Sequence, residues 1–242
     1  LAQACFENFN LDLMYALPGQ SPAQAAADIR EAIRFSPPHI SAYHLTIEPN
    51  TYFARFAPQL PDDDTAARMQ SGIETALMRA GYEHYETSAF ALPERRCRHN
   101  LNYWRFGDYL GIGAGAHSKL SLSDRIVRQV RHNHPRAYLE GVARANPIQE
   151  AYEIRAADVP LEFMMNALRL NDGVESALFA ERTGVPLTSV IRALEAARCR
   201  GLLESDPLRL RPTPQGRRFL NDLLQLFLPE DATGGCATRR GG

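Results

Sequence analysis

Residues 97–118, CRHNLNYWRFGDYLGIGAGAHS, concentrate the side chains of this chain that are suited to binding chemistry. They include the histidines His99 and His117, the single tryptophan Trp104 and a run of alternating glycines. Imidazole is a good axial ligand for haem iron, and aromatic rings can pack on a porphyrin. Glycine lets a backbone approach a ligand closely because it carries no Cβ atom. The stretch could therefore grip a flat, apolar, metal-containing ligand.

Two interpretations of the histidines remain open at this point. His99 and Asn100, followed by Tyr103 and Trp104, could contact such a ligand. The other interpretation, which spacing alone favours, is a hydrogen-bonded histidine beside a packed aromatic cluster. His117 could equally be bonded to a turn.

The glycines at 111, 113 and 115 resemble a dinucleotide-binding fingerprint only loosely. The spacing of the third glycine is wrong, and no acidic residue follows at the required distance. We do not expect a nucleotide site of that kind here.

Asp12 lies inside a nearly continuous apolar run at residues 8–17, close to its C-terminal end. An unpaired buried carboxylate is costly, so a partner is expected. One interpretation is a ligand contact, since ligands sit at the C-terminal ends of parallel strands. The other is a helix cap or an ion pair with an arginine. The spacing does not decide between them.

Composition excludes several classes of function. The 242 residues carry a net charge of −1, which gives no overall field for nucleic acid or anionic membranes. No apolar run has the length of a membrane-spanning helix, and the first residues lack the pattern of a signal peptide. Four scattered cysteines without metal-ligand spacing suit a reducing cytosol, so we expect a cytoplasmic protein. Because the chain starts at Leu1 within a strand-like segment, we expect it to lack an N-terminal portion.

Periodicity predicts an α/β fold. The strand at 8–17 is expected to be buried on both faces, and a helix after Ser21-Pro22 connects it to a second strand at 39–47. Strand, helix and strand form a βαβ unit with parallel strands. A helix at 64–80 ends before Gly81, a β-like segment follows at 82–90, and residues 121–150 are predicted to be irregular.

The character changes from Ala151 onwards. Helical patterns at 163–170, 174–182 and 186–200 precede a hairpin turning at Asp206-Pro207 and a last helix at 217–227. This order is typical of a winged-helix domain. Arginines outnumber acidic residues between Arg192 and Arg218, but the presumed recognition helix lacks base-reading Asn or Gln. We therefore expect no nucleic-acid partner. Residues 229–242 are predicted to be disordered.

Several segments together resemble one family. NLDLMYALPGQS, HISAYHLTIEPNT, CRHNLNYW, FGDYLGIGAGAHS and RLRPTPQGRRFLNDLLQLFL are similar, in that order, to segments of the radical-SAM haem chaperones. These proteins are relatives of oxygen-independent coproporphyrinogen III oxidase. The HNxxYW pattern is the most specific segment and marks the chaperone branch, whereas LDLMYALPGQS is shared with the oxidase. The resemblance runs from about residue 6 to residue 228.

The resemblance implies the last part of a partial TIM-like barrel at 1–60, an α+β region at 61–150 and a winged-helix-like domain at 151–228. It implies that Asp12 contacts the ribose of S-adenosylmethionine (SAM). His99, Asn100, Tyr103 and Trp104 match the haem-associated pattern, with His99 as a candidate ligand of the haem iron. His117 and His84 are alternative ligands.

The resemblance also implies a function, which is binding haem and delivering it to acceptor haemoproteins. A homodimer is left open. SAM and a [4Fe-4S] cluster are expected in the full-length protein, but the three-cysteine motif for the cluster is absent from this sequence. The chain alone is therefore expected to be inactive toward SAM. The alternative function is oxidative decarboxylation of coproporphyrinogen III in porphyrin biosynthesis.

Overall fold

The computed structural model describes residues 1–229, which divide into two compact units. The first is Leu1–Arg98, and the second begins at His99. The three finer divisions at residues 60, 150 and 228 stay a prediction. The predicted disorder of the tail falls, from residue 230 on, outside the described residues.

The first unit contains one four-stranded sheet and its covering helices. Its helices are α1 (Ala2–Cys5), α2 (Pro22–Arg34), α3 (Tyr52–Arg55) and α4 (Asp63–Arg79). Its strands are β1 (Asn10–Tyr15), β2 (His39–His44), β3 (Glu83–Glu86) and β4 (Ala89–Ala91). The strand order is β1-β2-β4-β3, with β1 parallel to β2 and the other pairs antiparallel. The predicted βαβ unit is thus confirmed.

Local signals set the ends of both long helices. The hydroxyl of Ser21 accepts from the backbone nitrogen of Gln24 at 3.3 Å, and the Gln24 side chain accepts from the Ser21 backbone at 2.8 Å. This reciprocal cap starts α2, with proline in its first turn. Asp62 caps α4 with a single bond, in which its carboxylate accepts from the backbone nitrogen of Thr65 at 2.6 Å. Gly81 follows the end of α4 in a left-handed conformation, as predicted.

The two faces of this sheet differ in polarity. Ile40 and Ala42 of β2 pack with Ile29 of α2 and Ile73 of α4 in one apolar core. Asn10, Asp12 and Met14 of β1 lie on the opposite face, because side chains alternate along a strand.

The expectation that β1 is buried on both faces is therefore wrong. Exposed and partly buried positions alternate along it, with Asn10, Asp12 and Met14 exposed. The apolar run around β1 is nearly continuous in sequence. However, β1 is an end strand of the described sheet, and only one of its faces meets the helices.

The second unit contains a three-stranded sheet and a helical domain. Its helices are α5 (Arg98–Trp104, which spans the boundary), α6 (Pro135–Ala143), α7 (Val159–Ala167), α8 (Ala177–Thr183), α9 (Ile191–Cys199), α10 (Pro214–Arg218) and α11 (Leu220–Gln225). A 3₁₀ helix at Leu187–Val190 precedes α9. Its strands are β5 (His117–Ser121), β6 (Ile126–Arg131), β7 (Ile148–Glu153), β8 (Val174–Glu175) and β9 (Arg209–Leu210).

The prediction that residues 121–150 are irregular is wrong. Strands β5, β6 and β7 form an antiparallel sheet in that order, and α6 lies between β6 and β7. The β-branched residues Ile126, Val127 and Val130 supply the strand preference of β6. Basic residues between them concealed this pattern.

The C-terminal part has the predicted winged-helix-like order of three helices and a hairpin. Phe163, Phe179 and Leu194 of α7, α8 and α9 are buried in it. Leu203 bridges Pro212 across the hairpin, as expected. Two predicted helices differ from the structure.

The predicted helix at 174–182 begins as strand β8, because Val174 and Glu175 pair with Leu210 and Arg209 of β9. The predicted helix at 217–227 is divided between α10 and α11. The division lies at Phe219, whose backbone is not helical (φ −111°, ψ 46°).

Candidate functional site

Helix α5 presents the HNxxYW residues as two pairs, and the two members of each pair are four positions apart in the chain. Residues four apart share one helix face, so His99 lies beside Tyr103 and Asn100 beside Trp104. The ring centroids of His99 and Tyr103 are 6.5 Å apart, and Tyr103 meets Trp104 edge-on at 5.1 Å. His99 is exposed, whereas the other three side chains are partly buried. The structure thus brings these predicted residues together on one short helix.

A tight turn after α5 returns the chain to Tyr103. Phe106 is buried with a left-handed backbone (φ 56°), and a Cβ atom on Gly107 would lie 2.1 Å from Oδ1 of Asn102. Only glycine therefore fits at position 107 without a shift. The turn places the Tyr109 ring 4.9 Å from that of Tyr103, and the Tyr109 hydroxyl donates to the Tyr103 hydroxyl at 3.4 Å.

Lys119 holds this turn from inside. Its buried ammonium donates to the Phe106 carbonyl at 3.0 Å, to Asp108 at 2.9 Å and to Ser121 at 3.0 Å. It also lies 4.0 Å from the centroid of the Phe106 ring. Burial lowers the pKa of Lys119, and hydrogen bonding to Asp108 opposes this change. Sequence reasoning missed this residue, because nothing local marks a lysine that points inward.

Arg128 connects Tyr109 to α7. Its guanidinium donates to the Tyr109 hydroxyl at 2.8 Å and forms an ion pair with Glu162. Burial and the hydrogen bond with Tyr103 raise the pKa of Tyr109, although Arg128 opposes them. Burial thus favours the neutral form of the Tyr109 hydroxyl.

The arginines of residues 125–136 do not form one free basic surface. Arg125 pairs with Asp124 at 2.8 Å, and Arg136 pairs with Glu140 at 3.0 Å. Arg131 donates to the Gly111 carbonyl at 3.1 Å. Each of these side chains, like Arg128, already has an acceptor within the unit.

Trp104 carries a buried polar atom without a partner. Its indole Nε1 has no hydrogen bond among the described residues. The guanidinium of Arg169 lies 5.0 Å from the centroid of its ring. Such an orphaned donor is unusual in a folded protein. Arg169 was not predicted, since it lies 65 positions further along the chain.

The glycine run packs mainly against its own unit. A Cβ atom on Gly111 would lie 2.2 Å from the carbonyl oxygen of His117, so the close approach expected there is to another backbone segment. The nitrogen of Gly113 donates to the Tyr138 hydroxyl at 3.0 Å. His117 is exposed at the start of β5. His84, the other alternative ligand, lies in the first unit and stacks on Phe90 at 4.2 Å.

Asp12 is in the first unit, as the third residue of β1. It is exposed rather than buried, and its partner is Asn10, whose amide donates to Oδ1 at 2.7 Å. The expectation of a buried carboxylate close to the strand end is therefore wrong, because Asp12 lies on the sheet face away from the helices. Its Oδ2 has no hydrogen-bond donor among the described residues. An exposed acceptor of this kind fits a sugar diol, which offers two hydroxyl donors.

The described residues do not fit an iron–sulfur cluster. Cys5 and Cys199 are exposed, Cys97 is partly buried, and all three are free thiols. Within residues 1–229, no group of three or more His, Cys, Asp or Glu side chains could hold a metal ion.

Comparison with known proteins identifies the fold first. The chain superposes on coproporphyrinogen III oxidase from Escherichia coli, a radical SAM enzyme, with a TM-score of 0.71 and 18% identity. The match covers 92% of this chain and 55% of the oxidase. The chain thus has a mixed α/β fold like that of the oxidase, and the open four-stranded sheet of its first unit is consistent with part of a barrel. Residues 154–219 also match the HemN C-terminal domain.

The sequence is similar to those of several heme chaperones. The chain is 44% identical to the heme chaperone HemW of Escherichia coli strain K12 over 92% of its length, and 44% identical to that of Haemophilus influenzae over 93%. It is 31% identical to the heme chaperone HemW of Bacillus subtilis. Over the segment that it spans, the chain is therefore similar to the heme chaperones HemW. It spans 58% of the length of the first two relatives.

The length and polarity of the helices bear on whether the chain could cross a membrane. None of the helices within residues 1–229 is both long enough and apolar enough to cross a bilayer.

Proposed function

We propose that the protein to which this chain belongs binds haem at helix α5 and delivers it to acceptor haemoproteins. The observation that carries this proposal is the exposed imidazole of His99, which lies beside the ring of Tyr103, and Tyr103 in turn meets Trp104 edge-on. An exposed imidazole can reach the iron of an incoming haem, and adjacent rings can pack on the porphyrin. The proposal is supported by relatives that are named heme chaperones.

Each of the four motif residues has a proposed part. His99 is the candidate iron ligand, and Tyr103 and Trp104 supply the apolar contact. Asn100, which is partly buried, supplies an amide beside them. The Tyr109 hydroxyl, whose pKa is raised by burial, adds no charge beside Tyr103, which keeps the cost of covering this face low.

Transfer to another protein requires a site that holds haem without enclosing it. A single exposed ligand on a seven-residue helix is more suited to this than a deep cavity. The acceptor can then approach the open side of the haem. We propose that this openness separates a delivery site from a permanent haem pocket.

We propose that Asp12 holds the ribose of SAM. SAM and an iron–sulfur cluster supply radical chemistry when both are bound. The residues of this chain contribute one ribose acceptor to that assembly and no cluster ligands among those described. A cytoplasmic location is also proposed, which the three free thiols support.

A haem titration of the chain, followed by Soret absorption, tests the proposal. Saturable binding should be lost or spectrally shifted in His99→Ala. His117→Ala is the matched control, because His117 is also exposed and lies in the same unit. Equal spectra for wild type and His99→Ala, with a shift in His117→Ala, would move the ligand to β5. Failure of a folded chain to bind haem would refute a site at α5 alone.

A further inference from the structure

A buried histidine in the first unit is connected to Asp12 through one amide. His39 of β2 is 5% exposed. Its Nδ1 lies 2.7 Å from Oδ1 of Asn10, and its Nε2 lies 2.8 Å from the hydroxyl of Tyr85. Asn10 in turn donates from Nδ2 to Oδ1 of Asp12 at 2.7 Å. Four side chains from β1, β2 and β3 therefore form one hydrogen-bonded row.

The carboxylate of Asp12 fixes the direction of every bond in this row. A carboxylate can only accept, so the amide nitrogen of Asn10 must face Asp12 and its oxygen must face His39. The hydroxyl of Ser41 also donates to that oxygen, at 3.2 Å. Nδ1 of His39 must then carry a hydrogen. The reverse orientation of the amide would set oxygen against oxygen.

The other ring nitrogen of His39 is then an acceptor. Burial lowers the pKa of His39, and the opposing effect of the Asp12 charge is smaller, so the ring is neutral at pH 7. A neutral ring with its hydrogen on Nδ1 has a lone pair on Nε2. The Tyr85 hydroxyl therefore donates to Nε2. Hydrogen bonds run in one direction from Tyr85 to Asp12.

We propose that His39 is a positioning residue for Asp12, and that it acts through Asn10. The row holds Oδ1 of Asp12 in one place and leaves Oδ2 open to accept from the two hydroxyls of a ribose. This proposal rests on the proposed role of Asp12 toward SAM. It adds that residues 10, 39 and 85 set the orientation of the acceptor before the ligand arrives.

The direction of the row can be measured without any ligand. In ¹⁵N-detected NMR spectra of the chain, Nδ1 of His39 should appear protonated and Nε2 unprotonated. Asp12→Asn should change this, because an amide at position 12 can donate as well as accept, and the Asn10 amide is then free to turn. A mixture of the two tautomers is expected. Tyr82→Phe is the matched control, since its buried hydroxyl bonds to the Pro37 carbonyl outside the row.

Two results of this experiment would overturn the proposal. One is a wild-type His39 with its hydrogen on Nε2, or with both nitrogens protonated at pH 7. The other is a tautomer that is the same in wild type and in a folded Asp12→Asn variant.

The effect on the ligand is measured by equilibrium binding of SAM to the chain. His39→Leu should weaken binding roughly tenfold, the effect of one lost hydrogen bond. His39→Asn should restore part of the affinity, because its amide can still donate to Asn10. Equal affinity of wild type and His39→Leu, with binding lost in Asp12→Asn, would refute the positioning role and leave the ribose role intact. Absence of SAM binding by the wild type would count against the ribose role, whereas the tautomer would still decide the direction of the row.

Discussion

His39 and His99 differ in burial and in hydrogen bonding, and our two proposals give them different roles. His39 is almost fully buried, and both of its ring nitrogens have hydrogen-bond partners. His99 is exposed, and the centroid of its ring lies 6.5 Å from that of Tyr103. Burial and bonding fix the protonation and tautomer of the first. The second keeps its nitrogens available for an incoming ligand.

The supporting structures differ in the same way. Around His39, directional hydrogen bonds between side chains of three strands of one sheet do the positioning. Around His99, packing of rings and one buried lysine hold the turn that follows α5. Polar networks set the direction of bonds, whereas packed aromatic residues set only position. The proposed ribose acceptor at Asp12 and the proposed haem site at α5 would need these different supports.

The largest effect is expected from removing the packing below α5. Phe163 is fully buried between Phe106, at 5.7 Å, and Phe179, at 5.2 Å. Phe163→Ala should lower the free energy of unfolding by about 3–5 kcal/mol because it leaves a cavity. Chemical denaturation measures this. Phe219→Ala, at a half-exposed position, is the control and should cost much less. A loss below about 1 kcal/mol for Phe163→Ala would contradict the packing role.

A smaller effect is expected from breaking the polar row. His39→Leu removes the hydrogen bonds of His39 to the Tyr85 hydroxyl and to the Asn10 carbonyl oxygen, which keeps its bond from Ser41, and should cost about 1–3 kcal/mol. His44→Leu on the same strand is the matched control, because His44 is exposed. Denaturation curves of the two variants should separate clearly. Equal losses would show that the row contributes no more than a surface position.

The pH dependence of stability should identify His39 as well. Its folded pKa is below the ordinary value of 6.5, so below that pH the unfolded chain binds a proton that the folded chain does not. The contribution of His39 to the free energy of unfolding is complete above pH 6.5, and it is lost as the pH falls toward the pKa of His39 in the folded chain. Unfolding free energies of wild type and His39→Asn should therefore converge on acidification. A constant difference between pH 7 and pH 5 would contradict this.

The smallest effect on stability is expected at His99. His99→Ala should change the free energy of unfolding by less than about 0.5 kcal/mol, since the side chain is exposed and holds nothing in place. The same variant should lose or shift the Soret band of bound haem. A large loss of stability would mean that His99 is structural, and the contrast with His39 would fail.

Local patterns were sufficient for many elements. The capped start of α2, the glycine after α4 and the parallel pair β1–β2 follow from short-range signals that depend on neighbouring residues. Strands β5–β7 were missed, because Arg128 and Gln129 interrupt the β-branched residues of β6, and polar residues dominate β5 (HSKLS) and β7 (IQEAYE).

The sequence by itself determined the α/β class, the order of the C-terminal elements and the resemblance to the haem chaperones. Only the tertiary structure decided that Asp12 is exposed and that its carboxylate is connected to His39 and Tyr85. It also decided that Lys119 is buried under Phe106. The physical reason is the distance along the chain. Helix caps and periodicity act between residues a few positions apart, whereas hydrogen bonds across a sheet join residues separated by 29 and 46 positions.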